Sequence, residues 1–355
     1  MQDDLTEMTD IAAVCAAIGI DALGVVKATP LQSYDIYREI IARGVPPQLE
    51  YLARNADCRR DFDAILPGTK SIVCCACTLP VFRAETACRY ARFCAFGDYH
   101  LMMREKLLKL DAYLRANYPI QNSRICVDSA PVLERELAVH AGLGDIGFNR
   151  MLIHHDFGSF IALAELFVDA DLTECADPPA YHVRREATEA WIPGHHGCCD
   201  PAHRRCSSAC PTGALSDHGY DMNKCLAYWT TQHKGDIPEP YATAMGEMIW
   251  GCDRCQNACP RNLNAPRPCV ATSTLDTLAF DEILSLSARQ LRKRLANSPL
   301  ADANPHMLVR NTCIAIGNAR VSKYSEQLGT IAATHTCDWV RRAAERALTM
   351  TGECS

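Results

Sequence analysis

The pattern of apolar and polar positions divides the chain into two halves of different texture. Residues 5–19 (LTEMTDIAAVCAAIG) carry apolar residues at helical spacing, with Gly19 as the stop. DALGVVKA, ending at Ala28, predicts a short buried strand, and Ser33 to Arg43 a second helix. LPGT, ending at Thr69, is a turn, and SIVCCACTL after it has the small, apolar character of a central strand. Leu101 to Asn117 predicts a long helix charged on one face, and Arg124 to Val127 a strand. Pro131 to Gly142 predicts a helix with Pro131 in its first turn, while Phe160 to Val168 fits either helix or strand. This alternation predicts an α/β or α+β domain over residues 1–172.

A loop rich in Pro, Gly and His follows, and then a cysteine-dense segment, the two together spanning 173–270. Residues 271–355 carry helical patterns without strand signals. LVRNTCIAIGNAR and WVRRAAERALTM share a Val-Arg start followed by small and apolar residues, the look of HEAT-type helical repeats; a plain helical cap is the other reading. The fold class is therefore α+β, with an N-terminal α/β domain, a ferredoxin-like cysteine domain and a HEAT-like helical segment.

Composition changes this picture in one respect. Among 355 residues, 48% hydrophobic and 22% charged content are ordinary for a globular protein, but 21 cysteines are not. The acidic N-terminus has no apolar signal region, and no apolar run is long enough for a bilayer, so a cytoplasmic protein without a membrane role is expected. In a reducing compartment, that many thiols point to metal ligands rather than disulfides. Cys15, Cys58, Cys74, Cys75, Cys77 and Cys88 are expected to be inert packing residues. A net charge of −6 makes no general case for nucleic-acid binding. Local basic pairs are present at Arg184/Arg185, Arg204/Arg205, Arg292 to Arg294 and Arg341/Arg342.

Two cysteine motifs end alike, CSSACPTGAL from Cys206 and GCDRCQNACP to Pro260. In the ferredoxin run C-x2-C-x2-C-x3-C-P, three cysteines hold one [4Fe–4S] cluster and the fourth crosses to the other. Ile249 stands where the second motif should have its first cysteine, and Cys225 is the natural replacement. One complete site then consists of Cys210, Cys225, Cys252 and Cys255. The other takes Cys206, and Cys259 by crossover. Its register puts His203 and Asp200 at the remaining places, with Cys198 and Cys199 just outside; Cys198 or Cys199 is expected to supply at least one thiolate, and His203 suits a remaining place better than Asp200. A zinc ribbon is the alternative, but zinc does not account for two x3-Cys-Pro endings. Two clusters mean electron transfer.

VDSAPVLERELA (from Val127), AGLGDIGFN (from Ala141), DFGSF, ACPTGAL, KCLAY, the segment from Gly235 to Asn262 and RNTCIAIGNA together resemble the epoxyqueuosine reductase family, in the same order and over nearly the whole chain. The chain is more distantly similar to corrinoid reductive dehalogenases. The resemblance implies cobalamin beside the two clusters and reduction of an epoxide on a modified tRNA nucleoside; a ferredoxin- or flavodoxin-type donor and a monomer are expected with it. It implies that Asp128 is the proton donor, for which a raised pKa is expected. Read without the resemblance, Asp128 is an N-cap of the helix near Pro131. The resemblance also implies cofactor contacts at Arg59, His100, Ser129, the Gly142/Gly144 turn and Thr230. Read alone, Arg59 is a solvated charge and His100 a core histidine. Departures from the family pattern fall at Asp145, Phe148 and the insertion Arg92–Cys94, and are read as a rewritten substrate side. Two alternatives follow: a corrinoid reductase cleaving C–O or C–halogen bonds of a small molecule, and an electron-transfer protein without a substrate.

Overall fold

The computed structural model describes residues 10–81, 89–95, 97–175, 178–183, 198–200, 204–216, 219–265, 275 and 278–352. By contact the chain groups into two compact units, each drawing on more than one of the sequence segments above. The first comprises Met1–Thr78, Tyr99–Cys206 and Gln256–Arg267, and the second Leu79–Asp98, Ser207–Cys255 and Pro268–Ser355.

In the first unit, α1 (Ile11–Ile18) ends at Gly19, whose φ of 73° is a left-handed cap. β1 (Ala22–Lys27) follows, then α2 (Tyr34–Ala42), α3 (Glu50–Arg54) and β2 (Ser71–Thr78). After them come α4 (Tyr99–Asn117), β3 (Ser123–Cys126), α5 (Glu134–His140), the pair β4 (Asp145–Ile146) and β5 (Leu152–Ile153), and β6 (Ile161–Val168). The main sheet has the order β1-β2-β6-β3. Every pairing in it is antiparallel, so this half is α+β and not α/β in strand direction. Helix-sized connections join antiparallel strands here, so alternation along the sequence did not distinguish the two. Residues 161–168 are the strand of the two readings, buried along most of their length.

β2 lies inside the sheet and is buried on both faces up to Cys77. Leu137, Ala138 and Leu143 of the α5 region pack with Ile72, Cys74 and Phe167 on one face. Lys106 of α4 reaches Cys77 on the other. Glycine is required at 24, where an added Cβ would come within 2.0 Å of the Ala141 carbonyl; the end of α5 could not otherwise approach β1. Burial raises the thiol pKa of Cys15 to about 12 and holds those of Cys74 and Cys75 well above the ordinary thiol value, so these are packing residues. Cys58 is half-buried, and Cys88 lies outside the described residues.

α5 starts at Glu134, three residues later than the sequence suggested, with Leu133 as its N-cap and Pro131 outside it. The delay comes from a turn at 128–132, where Asp128 has φ 48° and the Val132 N–H donates to Ala130. Asp128 is therefore not a helix cap.

The second unit is helical apart from the short pair β7 (Leu215–Ser216) and β8 (Gly219–Tyr220). It holds α7 (Leu226–Thr231) and α8 (Glu239–Met245); α6 (Arg205–Ser208) and α9 (Arg254–Asn257) are divided between the two groupings, and α10 (Pro260–Leu263) belongs to the first unit. Then come α11 (Phe280–Ser285), α12 (Ala288–Leu295), α13 (Pro305–Asn318), α14 (Ser325–Thr334) and α15 (Asp338–Gly352). Asn304 caps α13 and Pro305 opens it. α13 is buried along nearly its whole length, packed chiefly against α15 and also against α11 and α8.

Candidate functional site

The cysteines fall into two sets, one in each unit. In the first unit, Cys198, Cys199, Cys206 and Cys259 line one cavity of about 190 Å³. Cys259 is the N-cap residue of α10, with Pro260 at the first helical position. Cys198 Sγ lies 3.9 Å from Cys199 Sγ. That hydrogen bond, helped by a 3.3 Å one from the Phe148 N–H, pulls the Cys199 thiol down to about 6 and pushes Cys198 up. Asp200 also lines the cavity, while His203 lies outside the described residues. Phe148 is a wall of this same cavity, and the Arg204 guanidinium lies 4.5 Å from its ring centre. The departure at Phe148 thus lies on the wall of the cysteine pocket.

In the second unit, Cys225 is the N-cap residue of α7, the same placement as Cys259 on α10. Burial first, and then the nearby charge of Cys225 among others, raises the Cys252 thiol to about 11. Burial would also raise Cys210, but it is outweighed by the Thr212 hydroxyl and the backbone N–H groups of Leu215, Thr212 and Ala214, so its pKa is lowered. A sulfur ringed by amide donors suits a cluster thiolate, whose charge those donors stabilise. Ile249, which replaces the expected cysteine, is fully buried and its N–H bonds the Arg89 carbonyl. The insertion Arg92–Cys94 forms a short turn whose Arg92 N–H donates to Asp253 at 2.5 Å, beside Cys252.

Thr230 is fully buried in this unit. Its hydroxyl donates to Leu226 O and accepts the Gly251 N–H at 3.1 Å. It fixes the residue before Cys252 and has no surface for a cofactor. Arg310 and Asn311 of α13 complete the support. Arg310 donates to the carbonyls of Trp229, His233 and Gly235, and Asn311 Nδ2 to those of Thr230 and Ile249.

A second cavity in the first unit, about 580 Å³ and open, runs between α2–α3 and the 128–136 segment. Its floor holds Arg59, only 7% exposed, with Nη1 on Asn55 O at 2.9 Å and the guanidinium 4.9 Å from the Tyr37 ring centre. Arg59 is thus a wall residue and not a solvated charge. Ile36, Ile40 and Tyr51 leave large apolar surface exposed along it. Asp128, Ser129, Glu134, Arg135 and Arg150 form the opposite wall. Two residues of that wall, Asp128 and Arg150, have positive φ (48° and 65°), a strained conformation of the kind that collects at functional sites.

Asp128 Oδ2 accepts the Tyr99 hydroxyl at 2.6 Å and lies 3.9 Å from His100 Nε2. Tyr99 and His100 stack with ring centres 4.0 Å apart, and the His100 side chain is exposed, so His100 is not a core residue. Partial desolvation pushes the Asp128 carboxyl up, but hydrogen bonds from His100 and Tyr99 and the charges of His100 and Arg135 outweigh it. Its pKa is below the ordinary value, opposite to the raised one expected from the sequence. Gly142 and Gly144 do not line this cavity. At 144 an added Cβ would meet the Ile153 carbonyl at 2.3 Å, so glycine there answers to β5 rather than to a ligand. Tyr99, Glu134 and Arg135 were missed as site residues, since only the fold brings them to Asp128.

Residues 59–129 match the family model for epoxyqueuosine reductase QueG, DUF1730, and residues 202–262 a 4Fe-4S double cluster binding domain. The chain is 32% identical over 299 residues to an epoxyqueuosine reductase of Xanthomonas campestris, covering 79% of this chain and 78% of that protein. It belongs to the epoxyqueuosine reductase family. A Gloeobacter violaceus member is 30% identical over 316 residues, 85% of this chain and 93% of its own. Among solved structures, epoxyqueuosine reductase from Streptococcus thermophilus superposes with a TM-score of 0.82 at 23% identity, covering 97% of this chain and 90% of the other. An epoxyqueuosine reductase with an epoxyqueuosine-modified tRNA-Tyr stem loop gives 0.78 at 23% identity, covering 96% and 89%. These two likenesses show the fold.

Proposed function

We propose that this family member reduces the epoxide of epoxyqueuosine in tRNA, the last step of queuosine synthesis, with two [4Fe–4S] clusters and cobalamin. The observation that carries the reading is the strained Asp128, set on an open cavity wall and held by Tyr99 and His100. The residues fit the groups. Cys210, Cys225, Cys252 and Cys255 would hold one cluster, and Cys206, Cys259, Cys198 and Cys199 the other. The open cavity, apolar along Ile36, Ile40 and Tyr51 and polar at Arg59 and Ser129, suits a large amphiphilic cofactor. When bound, the clusters pass single electrons from a ferredoxin- or flavodoxin-type protein and cobalamin supplies a strong reductant and nucleophile.

Asp128 then has one task, to give a proton to the departing oxygen. Tyr99 and His100 orient its carboxylate, and Arg59 and Tyr37 keep the facing wall rigid. We read the paired helices at the C-terminal end as HEAT-like repeats with exposed basic residues toward RNA, and the protein as a cytoplasmic monomer. The test is anaerobic purification with iron, sulfide and corrinoid analysis, followed by an assay on epoxyqueuosine-containing tRNA. Turnover by protein loaded with both kinds of cofactor supports the reading. Iron or corrinoid that cannot be loaded, or loaded protein inert on that tRNA, overturns it.

A further inference from the structure

The second unit brings together three side chains of metal-ligand type that neither proposed cluster uses. His306 stands in the first turn of α13, His335 is the C-cap residue of α14, and Cys337 directly precedes α15. A ring nitrogen of each histidine and the Cys337 sulfur all lie within 4.8 Å of one another, and all three residues are half-buried. His306 Nδ1 and His335 Nε2 face each other at 3.4 Å.

Zinc–nitrogen bonds of about 2.0–2.1 Å and a zinc–sulfur bond of about 2.3 Å give a tetrahedral site an N···N edge of about 3.3 Å and an N···S edge of about 3.6 Å. The two rings already stand at the first of these edges, and a small turn of the Cys337 side chain closes the second. Without an ion the same contact is a hydrogen bond. His335 Nδ1 accepts the Cys337 N–H at 3.1 Å, so the ring proton sits on Nε2 and points at His306 Nδ1. An ion takes the place of that proton, which moves to Nδ1, and the Cys337 N–H releases the ring. The Cys337 thiol proton leaves to solvent. Two cations lie near, Arg292 by His306 and Arg341, which donates to His335 O and to Asp338. The anionic thiolate offsets them for a dication. Two imidazoles and a thiolate suit zinc-class ions and not magnesium or calcium, which take oxygen ligands.

We propose that His306, His335 and Cys337 bind a zinc-class divalent ion, with water as the fourth ligand, and that the ion ties the ends of α13, α14 and α15 together. The site lies beside Trp339, whose ring stands edge-on to His306 at 6.4 Å and carries the Arg310 guanidinium 5.4 Å from its centre. Arg310 donates to the carbonyls of Trp229, His233 and Gly235. The ion therefore braces, through Trp339 and Arg310, the segment that follows Cys225. Its role is structural, and it does not depend on the proposed reaction, because none of its ligands belongs to that machinery.

The test uses the full chain, purified anaerobically with its clusters and then given zinc chloride. Elemental analysis should find one tightly held zinc per chain. Zinc-edge X-ray absorption should show one sulfur at about 2.3 Å and two imidazole nitrogens at about 2.0–2.1 Å. Cys337→Ser and His335→Gln should each lower zinc affinity by at least about a hundredfold, the upper end of what losing a mere hydrogen-bond partner of a ligand costs. Zinc should raise the melting temperature of wild type and not of the variants, while iron content stays equal in all three. No zinc retained by wild type, or three or more sulfurs around it, overturns the proposal without any variant. Equal zinc affinity in wild type and both variants overturns it as well.

Discussion

The proposed chemistry concentrates at one residue, Asp128, and its two readings, proton donor and helix cap, part on a single substitution. A helix cap would tolerate asparagine almost fully. A proton donor would not, since Asn keeps the shape without a transferable proton. Asp128→Asn should therefore keep iron and corrinoid while turnover falls roughly 10²–10⁴-fold, the size of a general-acid contribution, in steady-state assays on loaded enzyme. The carboxylate itself was legible in VDSAP through its family resemblance. Its partners were not all so: Tyr99 is 29 positions away and meets it only because α4 and the end of β3 lie side by side. The direction of its pKa could not be read either, because it depends on hydroxyl and imidazole groups outside the motif.

At the scale of elements, the cysteine motifs were the most legible part, because ligand spacing is local. Their support was not. Asn311 lies some way beyond the cysteines in sequence, yet it ties the carbonyls of Thr230 and Ile249 within the second unit. Asn311→Ala should cost about 1–3 kcal/mol for each carbonyl left without a donor, seen as a lower urea midpoint and easier loss of one cluster's iron. Cys210→Ser should remove that cluster's EPR signal outright while the other persists.

β6 shows what a strand pattern hides. Glu165 in an apolar run gave no sign of its surroundings, since its neighbours come from β2, β3 and α5. Its raised pKa means that the folded protein keeps a proton which the unfolded chain releases above the ordinary glutamate value. Stability should then fall as pH rises from about 4.5 toward the folded value, and Glu134 adds the same trend up to about 6. Asp128, with a lowered pKa, acts oppositely and only in acid, where its contribution is lost as pH falls. Melting temperatures of Glu165→Gln should consequently decline less between about pH 6 and pH 9 than those of wild type.

For the whole molecule, the mixed helix and strand character and the helical C-terminal end could be read from periodicity. The grouping of the cysteine segment could not: Cys206 and Cys259 go with the sheet unit, whereas Cys210, Cys225, Cys252 and Cys255 go with the helical one. Family membership and fold fit one reaction on one substrate class, and no helix among the described residues is long and apolar enough to cross a membrane. The most direct measurement is anaerobic single turnover of epoxyqueuosine-containing tRNA by the loaded protein, with the released nucleoside weighed by mass spectrometry. The product should be lighter by one oxygen, formed by wild type and at least about a hundredfold more slowly by Asp128→Asn. An unchanged nucleoside mass with fully loaded wild type, or equal rates for the two proteins, would contradict it.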